Sequence, residues 1–238
     1  MAKESKRYKA IKANVEPQKQ YGLREALELC KANATAKFNE SVELHVRLGV
    51  DPRQADQQVL GTVPLPHGTG VTKRVLVITM GEKLKEAEEA GADFVGSDDM
   101  VQKIEGGWLD FDAVVTSPDM MKSVGKLGKI LGPRGLMPSA KTGTVTFDVA
   151  DAVKEVKAGR VEFRLDKFGI IHKAVGKTAF TADQLYDNAR AFFQAILKAK
   201  PSAAKGTYVK SFSVASTMGV GIRVDPNAAQ KEIAAVIE

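Results

Sequence analysis

The 238-residue chain has a single cysteine, Cys30, so it can form no disulfide within itself. A lone cysteine in a helical pattern points by default to a reducing, cytosolic compartment. No apolar run approaches the roughly 20 residues that a membrane-spanning helix needs, so no membrane association is expected. The segment Met1 to Asn14 is basic but has no apolar core and is not expected to be a signal peptide. Both phosphate-loop patterns, G-x-x-x-x-G-K-[ST] and G-x-G-x-x-G, are missing. So are H-E-x-x-H, a cysteine pair for a metal, and the nucleophile elbow G-x-S-x-G. His45, His67 and His172 are isolated, and no internal repeat is evident. Neither catalysis nor a cofactor is expected.

What is present fits a soluble folded protein: 44% hydrophobic and 27% charged residues. The length allows one large domain or two modest ones. The net charge of +6 is unevenly spread. Residues 1–67 carry 11 Lys/Arg against 8 Asp/Glu, residues 68–158 carry 12 against 14, and residues 159–238 carry 12 against 7. Basic ends around an acidic middle favour a polyanionic partner such as nucleic acid at the ends.

Periodicity makes the same division. Tyr21–Ala32 carries Leu23, Ala26, Leu27 and Cys30 at helical spacing. In Ser41–Val50, Val42, Leu44, Val46, Leu48 and Val50 share one face; Ser41, Glu43, His45, Arg47 and Gly49 share the other. Such alternation predicts a strand with one buried face and one open to solvent or a ligand. Gly61–Gly70, with Pro64, Pro66, Gly68 and Gly70, has the composition of a linker. Arg74–Thr79 is a nearly continuous apolar strand, as in a sheet covered on both sides. A helix at Glu82–Ala90, a strand at Asp93–Val95, a helix at Ser97–Ile104, a strand at Asp112–Thr116 and a helix near Val149–Lys157 predict βαβ units.

Alternation returns in Val161–Leu165 and Ile170–Val175, a predicted hairpin turning at Asp166-Lys167-Phe168-Gly169. Thr181 and Gln184 form a capping box opening a helix with Leu185, Phe192, Phe193, Ile196 and Leu197 that stops at Pro201. Strands Thr207–Val214 and Ile222–Val224 flank the loop Ser216-Thr217-Met218-Gly219, with Tyr208, Phe212 and Val214 opposite Val209, Ser211 and Ser213. The predicted fold class is α/β with two domains. A discontinuous α+β domain (1–67 and 159–238, antiparallel sheet with helices) would hold an inserted doubly wound, Rossmann-like α/β domain (68–158).

The Ser216–Gly219 loop offers hydroxyls, backbone amides freed by Gly219 and Gly221, and the soft Met218, which suits docking better than chemistry. Taken alone it reads as an ordinary hairpin turn. Phe38, with Lys37 and Lys31 nearby, either stacks a base or ribose or closes a helix–strand junction. Gly125, Gly128, Gly132 and Gly135 recur among Lys126, Lys129 and Arg134, but no strand leads into them as a dinucleotide loop requires. A structural or RNA-contacting loop is expected there. A nucleotide-dependent enzyme using the middle domain is the alternative. Met120-Met121 and Trp108 are expected in the core, and Asp98-Asp99 and Asp110/Asp112 on a solvated face and at a helix cap.

Several segments resemble, in order, the large-subunit ribosomal protein L-one family, the stalk proteins. They are Ala36–Glu43, Leu48–Arg53, Leu65–Gly68, Gly91–Asp93, Trp108–Asp112, Leu131–Pro138, Ile171-His172 and Ser216–Gly219. The resemblance implies two hinged domains, with the discontinuous one bound to large-subunit (23S) rRNA. It also implies a role in moving exit-site tRNA and repression of the chain's own operon mRNA. The implied RNA contacts are Phe38, Ser211, Thr217, Met218 and Gly219. Lys37, Arg53, Arg164 and Lys173 would add phosphate contacts, which position without specifying. Glu40 and His172, inside matching segments, complete the candidate set. Leu165, Phe168 and Ser216 depart from the family pattern and put the hairpin's contribution in question. A cytoplasmic protein of the large ribosomal subunit, monomeric when free, is expected.

Overall fold

The structure, a computed structural model, describes residues 4–234. In chain order the elements are α1 (Lys6–Ala13), α2 (Leu23–Ala32), β1 (Ser41–Leu48), β2 (Leu60–Pro64), β3 (Val75–Ile78), α3 (Lys83–Glu89) and β4 (Phe94–Gly96). Next come α4 (Asp98–Glu105), β5 (Ala113–Thr116), α5 (Met121–Lys126), α6 (Gly128–Leu131) and α7 (Val149–Lys157). The last are β6 (Arg160–Arg164), β7 (Ile170–Lys177), α8 (Ala182–Lys198), β8 (Val209–Ser216), β9 (Ile222–Val224) and α9 (Pro226–Ala234). They form two compact units: the chain up to Gly70 together with Glu162 onward, and Val71–Val161.

In the first unit β7, β1, β8 and β9 lie side by side, each antiparallel to its neighbour. The alternation of β1 is realised: Val42, Leu44 and Val46 are fully buried, while Ser41, Glu43, His45 and Arg47 keep contact with solvent. Helices α2 and α8 cover the apolar side, and Phe193 of α8 stacks on Phe212 of β8 at 4.8 Å. Each large side chain removed from water in this way stabilises the fold by about 1.5–3 kcal/mol. The capping box that opens α8 is formed: the Gln184 amide donates to Thr181 Oγ1 at 3.2 Å, and the Thr181 amide donates back to Gln184 Oε1 at 3.0 Å. On the opposite side of the sheet His172, Arg47, Ser211 and Arg223 are exposed.

Four local expectations are corrected. Val209 does not share the exposed face with Ser211. Pairing shifts from Arg47–Ser211 to Leu48–Val209, and this bulge returns Val209 to the buried side. The predicted hairpin Val161–Val175 turns as expected but forms no ladder. β6 pairs with β2 and β7 with β1, and the two arms meet only at the Leu165–Ile171 bridge. Gly61–Gly70 is no loose linker, because part of it is strand β2. Asn188, fully buried on α8, accepts from the His67 amide and donates to the Gly68 carbonyl. Finally, Tyr21 precedes its helix and is tied through its backbone to Arg223 and Asp225. Helices α1 and α9 had no sequence forecast; in α1 only Ile11 is buried, too sparse a pattern to register as periodic.

In the second unit β3 runs between β4 and β5, all parallel. All four residues of β3 are buried. Leu76 and Ile78 pack with Val114 against Ile104, Val124 and Leu131 of α4, α5 and α6. Val75 and Val77 pack with Val115 against Ala87 and Val153 of α3 and α7. Met120 and Trp108 join the first of these layers, Trp108 edge-on to Phe94 at 4.9 Å. Both sides of this sheet are therefore occupied. The chain is a mixed α/β protein with one antiparallel and one parallel core.

Candidate nucleic-acid interface

The Ser216–Gly219 loop is organised from below by a carboxylate. Glu40, only 1% exposed, directly precedes β1. Its Oε2 accepts from the Met218 amide at 2.9 Å and from Ser216 Oγ at 2.7 Å; its Oε1 accepts from the Ala36 amide at 3.0 Å. The Thr217 amide donates to the Ser41 carbonyl at 3.1 Å, and the Ser41 amide returns a bond to Thr217 Oγ1 at 2.9 Å. The Gly219 amide donates to the Ser216 carbonyl at 3.1 Å.

These bonds correct one expectation. The amides of Thr217, Met218 and Gly219 are committed inside the loop, not freed for a ligand. The role of Gly219 is steric: a Cβ there would lie 2.4 Å from Ser216 Oγ, displacing the hydroxyl from Glu40. Glu40 itself, a candidate contact, is enclosed beneath the loop. A carboxylate facing phosphates would also repel them, whereas beneath the loop it supplies order.

What the loop shows to solvent is the Thr217 side chain and Met218, 48% exposed. Phe38 is 54% exposed, which rules out its reading as a core residue. Lys37 beside it is exposed too. From this end the open side of the sheet continues through cross-strand rows. One row sets His172, His45, Ser213 and Arg223 abreast, and the next sets Arg47 beside Ser211. Ser211 and Thr217 are separated by about 20 Å along the strand at its usual rise. The sheet thus brings Phe38, Lys37, Thr217, Met218 and Gly219 to one end and runs a polar surface from there past Ser211.

Three candidates fall elsewhere. Lys173 is half-buried and pairs with Leu44, which puts it on the packed side of edge strand β7. Arg53 and Arg164 are exposed, Arg53 in the segment after β1 and Arg164 at the end of β6. Both stand beyond the opposite end of β1 from the loop. Leu165 is 6% exposed, and Phe168 is 79% exposed on the turn. Sequence reasoning missed Arg223, Arg7 and Arg47. Arg47 carried a signal, since it lies on the polar face of the alternating strand.

The charges on this face are constrained. Burial works to raise the pKa of Glu40, but the Met218 amide, the Ser216 hydroxyl, the Ala36 amide and the Arg7 charge outweigh it. Its carboxyl is therefore held below the ordinary range. His45 and His172 meet edge-on, their Nδ1 atoms 2.8 Å apart. Burial and the neighbouring His172 push the pKa of His45 down against an opposing pull from Glu43. The Asp166 carboxylate takes the amides of Phe168 and Ile170 at 2.8 and 2.7 Å and approaches His172 Nε2 at 3.4 Å.

The rival site in the second unit takes a different form. Gly125 and Gly128 fall within the short helices α5 and α6, not in a loop between a strand and a helix. Asp110 and Asp112 pair with Arg74, and Asp98 and Asp99 open α4. Among the described residues no cluster of His, Cys, Asp or Glu could hold a metal ion. No helix among them is long and apolar enough to cross a membrane.

An ordered loop and an open polar sheet on an α/β scaffold define a binding protein. Residues 30–220 match the model of the Ribosomal protein L1p/L10e family, and the chain belongs to that family. It is similar to the large ribosomal subunit protein uL1 of Solibacter usitatus (strain Ellin6076), at 59% identity over 224 residues, 94% of each chain. The family is one of ribosomal proteins, not of enzymes.

Proposed function

We propose that this chain is a structural constituent of the large ribosomal subunit that binds 23S rRNA at the mobile stalk near the tRNA exit site. Residues 1–67 with 159–238 act as the RNA-binding domain; 68–158 form an inserted, doubly wound Rossmann-like domain. Structured RNA offers a shallow minor groove lined with 2′-hydroxyls, which a pre-ordered polar loop can read with little ordering cost. Thr217 and Ser211 supply hydroxyls, Met218 an apolar contact with ribose or base, Gly219 the space for the loop, and Phe38 a stacking surface. Lys37 and His172 border the RNA. Arg53 and Arg164 add phosphate contacts at the far end, and Lys173 does so only from the sheet edge.

The observation that carries this reading is the Glu40 carboxylate ordering Ser216 and Met218 beneath exposed side chains. From the resemblance, the bound stalk assists release of deacylated tRNA, and the same face represses the chain's own operon mRNA by binding a similar site. The protein works in the cytoplasm on the ribosome and is monomeric when free. A gel shift comparing stalk RNA with an unrelated hairpin tests the core of the proposal. Equal affinity for the two would overturn it.

A further inference from the structure

Helix α1 lies outside residues 30–220, the span covered by the family match. It is nonetheless tied to the recognition loop. Ser5 caps its start by accepting from the Tyr8 amide at 3.2 Å, and Ile11, 4% exposed, anchors it. Just past its end Asn14 Nδ2 donates to Asn33 Oδ1 at 3.1 Å. From this helix Arg7 Nη2 donates to the Met218 carbonyl at 3.1 Å.

Met218 is thus held at both ends of its backbone: Glu40 takes its N–H and Arg7 gives to its C=O. The two holders are opposite charges, and the Arg7 charge is among the influences keeping Glu40 ionised. A second guanidinium nitrogen, Nη1, is buried with no hydrogen-bond partner among the described residues. A buried donor left unmatched disfavours the fold and offsets part of what the Met218 bond contributes to stability. An uncompensated carboxylate beneath an RNA face would also repel phosphates.

We infer that Arg7 is a positioning residue for RNA recognition, acting through Met218 and Glu40 and not by touching RNA. This rests on the reading of the loop as the RNA site. It orients the Met218 peptide so that the side chain is presented outward, and it offsets the Glu40 charge beneath.

The test measures affinity for a large-subunit stalk RNA fragment as a function of salt. It uses the wild-type chain, Arg7→Ala, Arg7→Lys, Glu40→Gln, the Arg7→Ala/Glu40→Gln pair and Met218→Asp, with circular dichroism and thermal melts alongside. Arg7→Ala is expected to bind about tenfold more weakly while fully folded, with Arg7→Lys recovering part of the loss. In the Glu40→Gln background the same change should cost only about twofold, because no buried charge remains to offset. The salt slope should stay at the wild-type value, whereas loss of a direct phosphate contact lowers it by about one.

Wild-type affinity in folded Arg7→Ala, an equal loss in both backgrounds, a lowered slope, or a loss matching the unfolded fraction would each overturn the inference. If wild type discriminates stalk RNA from an unrelated hairpin and Met218→Asp binds it more weakly, while Arg7→Ala behaves as wild type, only the inference falls. If wild type itself fails to discriminate, the RNA reading falls with it.

Discussion

The two sheets of this protein solve the same burial problem in opposite ways. In the second unit all four residues of β3 are buried and helices pack on both sides, so the sheet has no surface to offer. In the first unit β1 buries every second residue, and the residues between them face outward in register with those of β7 and β8. A sheet committed on both sides can contribute stability, edges and loops. A sheet committed on one side keeps an ordered array of polar groups whose spacing is set by the ladder. The candidate interface belongs to the second kind, with its loop ordered by a buried carboxylate, Glu40, at the sheet's end.

The largest expected effect tests that carboxylate. Glu40→Ala leaves the Ala36 amide, the Met218 amide and the Ser216 hydroxyl unpaired and strips Arg7 of its countercharge. Breaking such a buried charged cluster should cost about 3–5 kcal/mol in urea unfolding and weaken stalk-RNA binding at the same time. A loss below about 1 kcal/mol would mean that solvent already satisfies those donors.

A comparable loss of stability is expected in the other unit with no effect on binding. Ile104 is fully buried under the parallel sheet, and Ile104→Ala should cost about 2–5 kcal/mol. RNA affinity of the folded variant should match wild type. A parallel fall in affinity would show that the contrast between a packed core and a binding face is too sharp.

Changes to the loop surface should show the reverse pattern. Met218→Asp is expected to weaken binding by about 1–3 kcal/mol, because it replaces an apolar contact by a carboxylate facing phosphates; Thr217→Val should do the same but also costs the bond from the Ser41 amide. Titration of a gel shift would reveal it. An unchanged affinity in a folded variant removes the loop from the interface.

The smallest effect separates the units by pH. The pKa of His45 is lowered in the folded protein, so its contribution is present above the ordinary histidine value of about 6.5 and fades as pH falls through the folded value. Glu40 and Asp166 follow the same sign in the carboxylate range. In the second unit Asp93 and Asp112 are also lowered, by the Val75 amide and by Arg74 respectively, so that unit responds only in the carboxylate range. Between pH 7 and 5 the first unit should lose protection in hydrogen exchange while fluorescence of Trp108, the chain's one tryptophan, holds steady. Equal sensitivity of both units in that window would break the distinction.

Much of the framework was legible because it depends on local period. The alternation in β1, the apolar run in β3 and the helix at Val149–Lys157 all follow from spacing that burial enforces. The capping box at Thr181 was legible for the same reason, since its partners lie three residues apart. What escaped depends on distance along the chain. No local pattern shows that β6 pairs with β2, or that a bulge turns Val209 inward.

The amino-acid sequence by itself determined which side of β1 is polar and that the loop after β8 carries Ser216, Thr217, Met218 and Gly219. Only the tertiary structure decided what makes that loop a defined shape. Glu40 stands 178 residues from Met218, and Arg7 stands 211 residues from it. Hydrogen bonds of that reach come into being when the sheet closes and excludes water from the carboxylate. The loop's order is therefore a property of the fold, while its chemistry was in the sequence from the start.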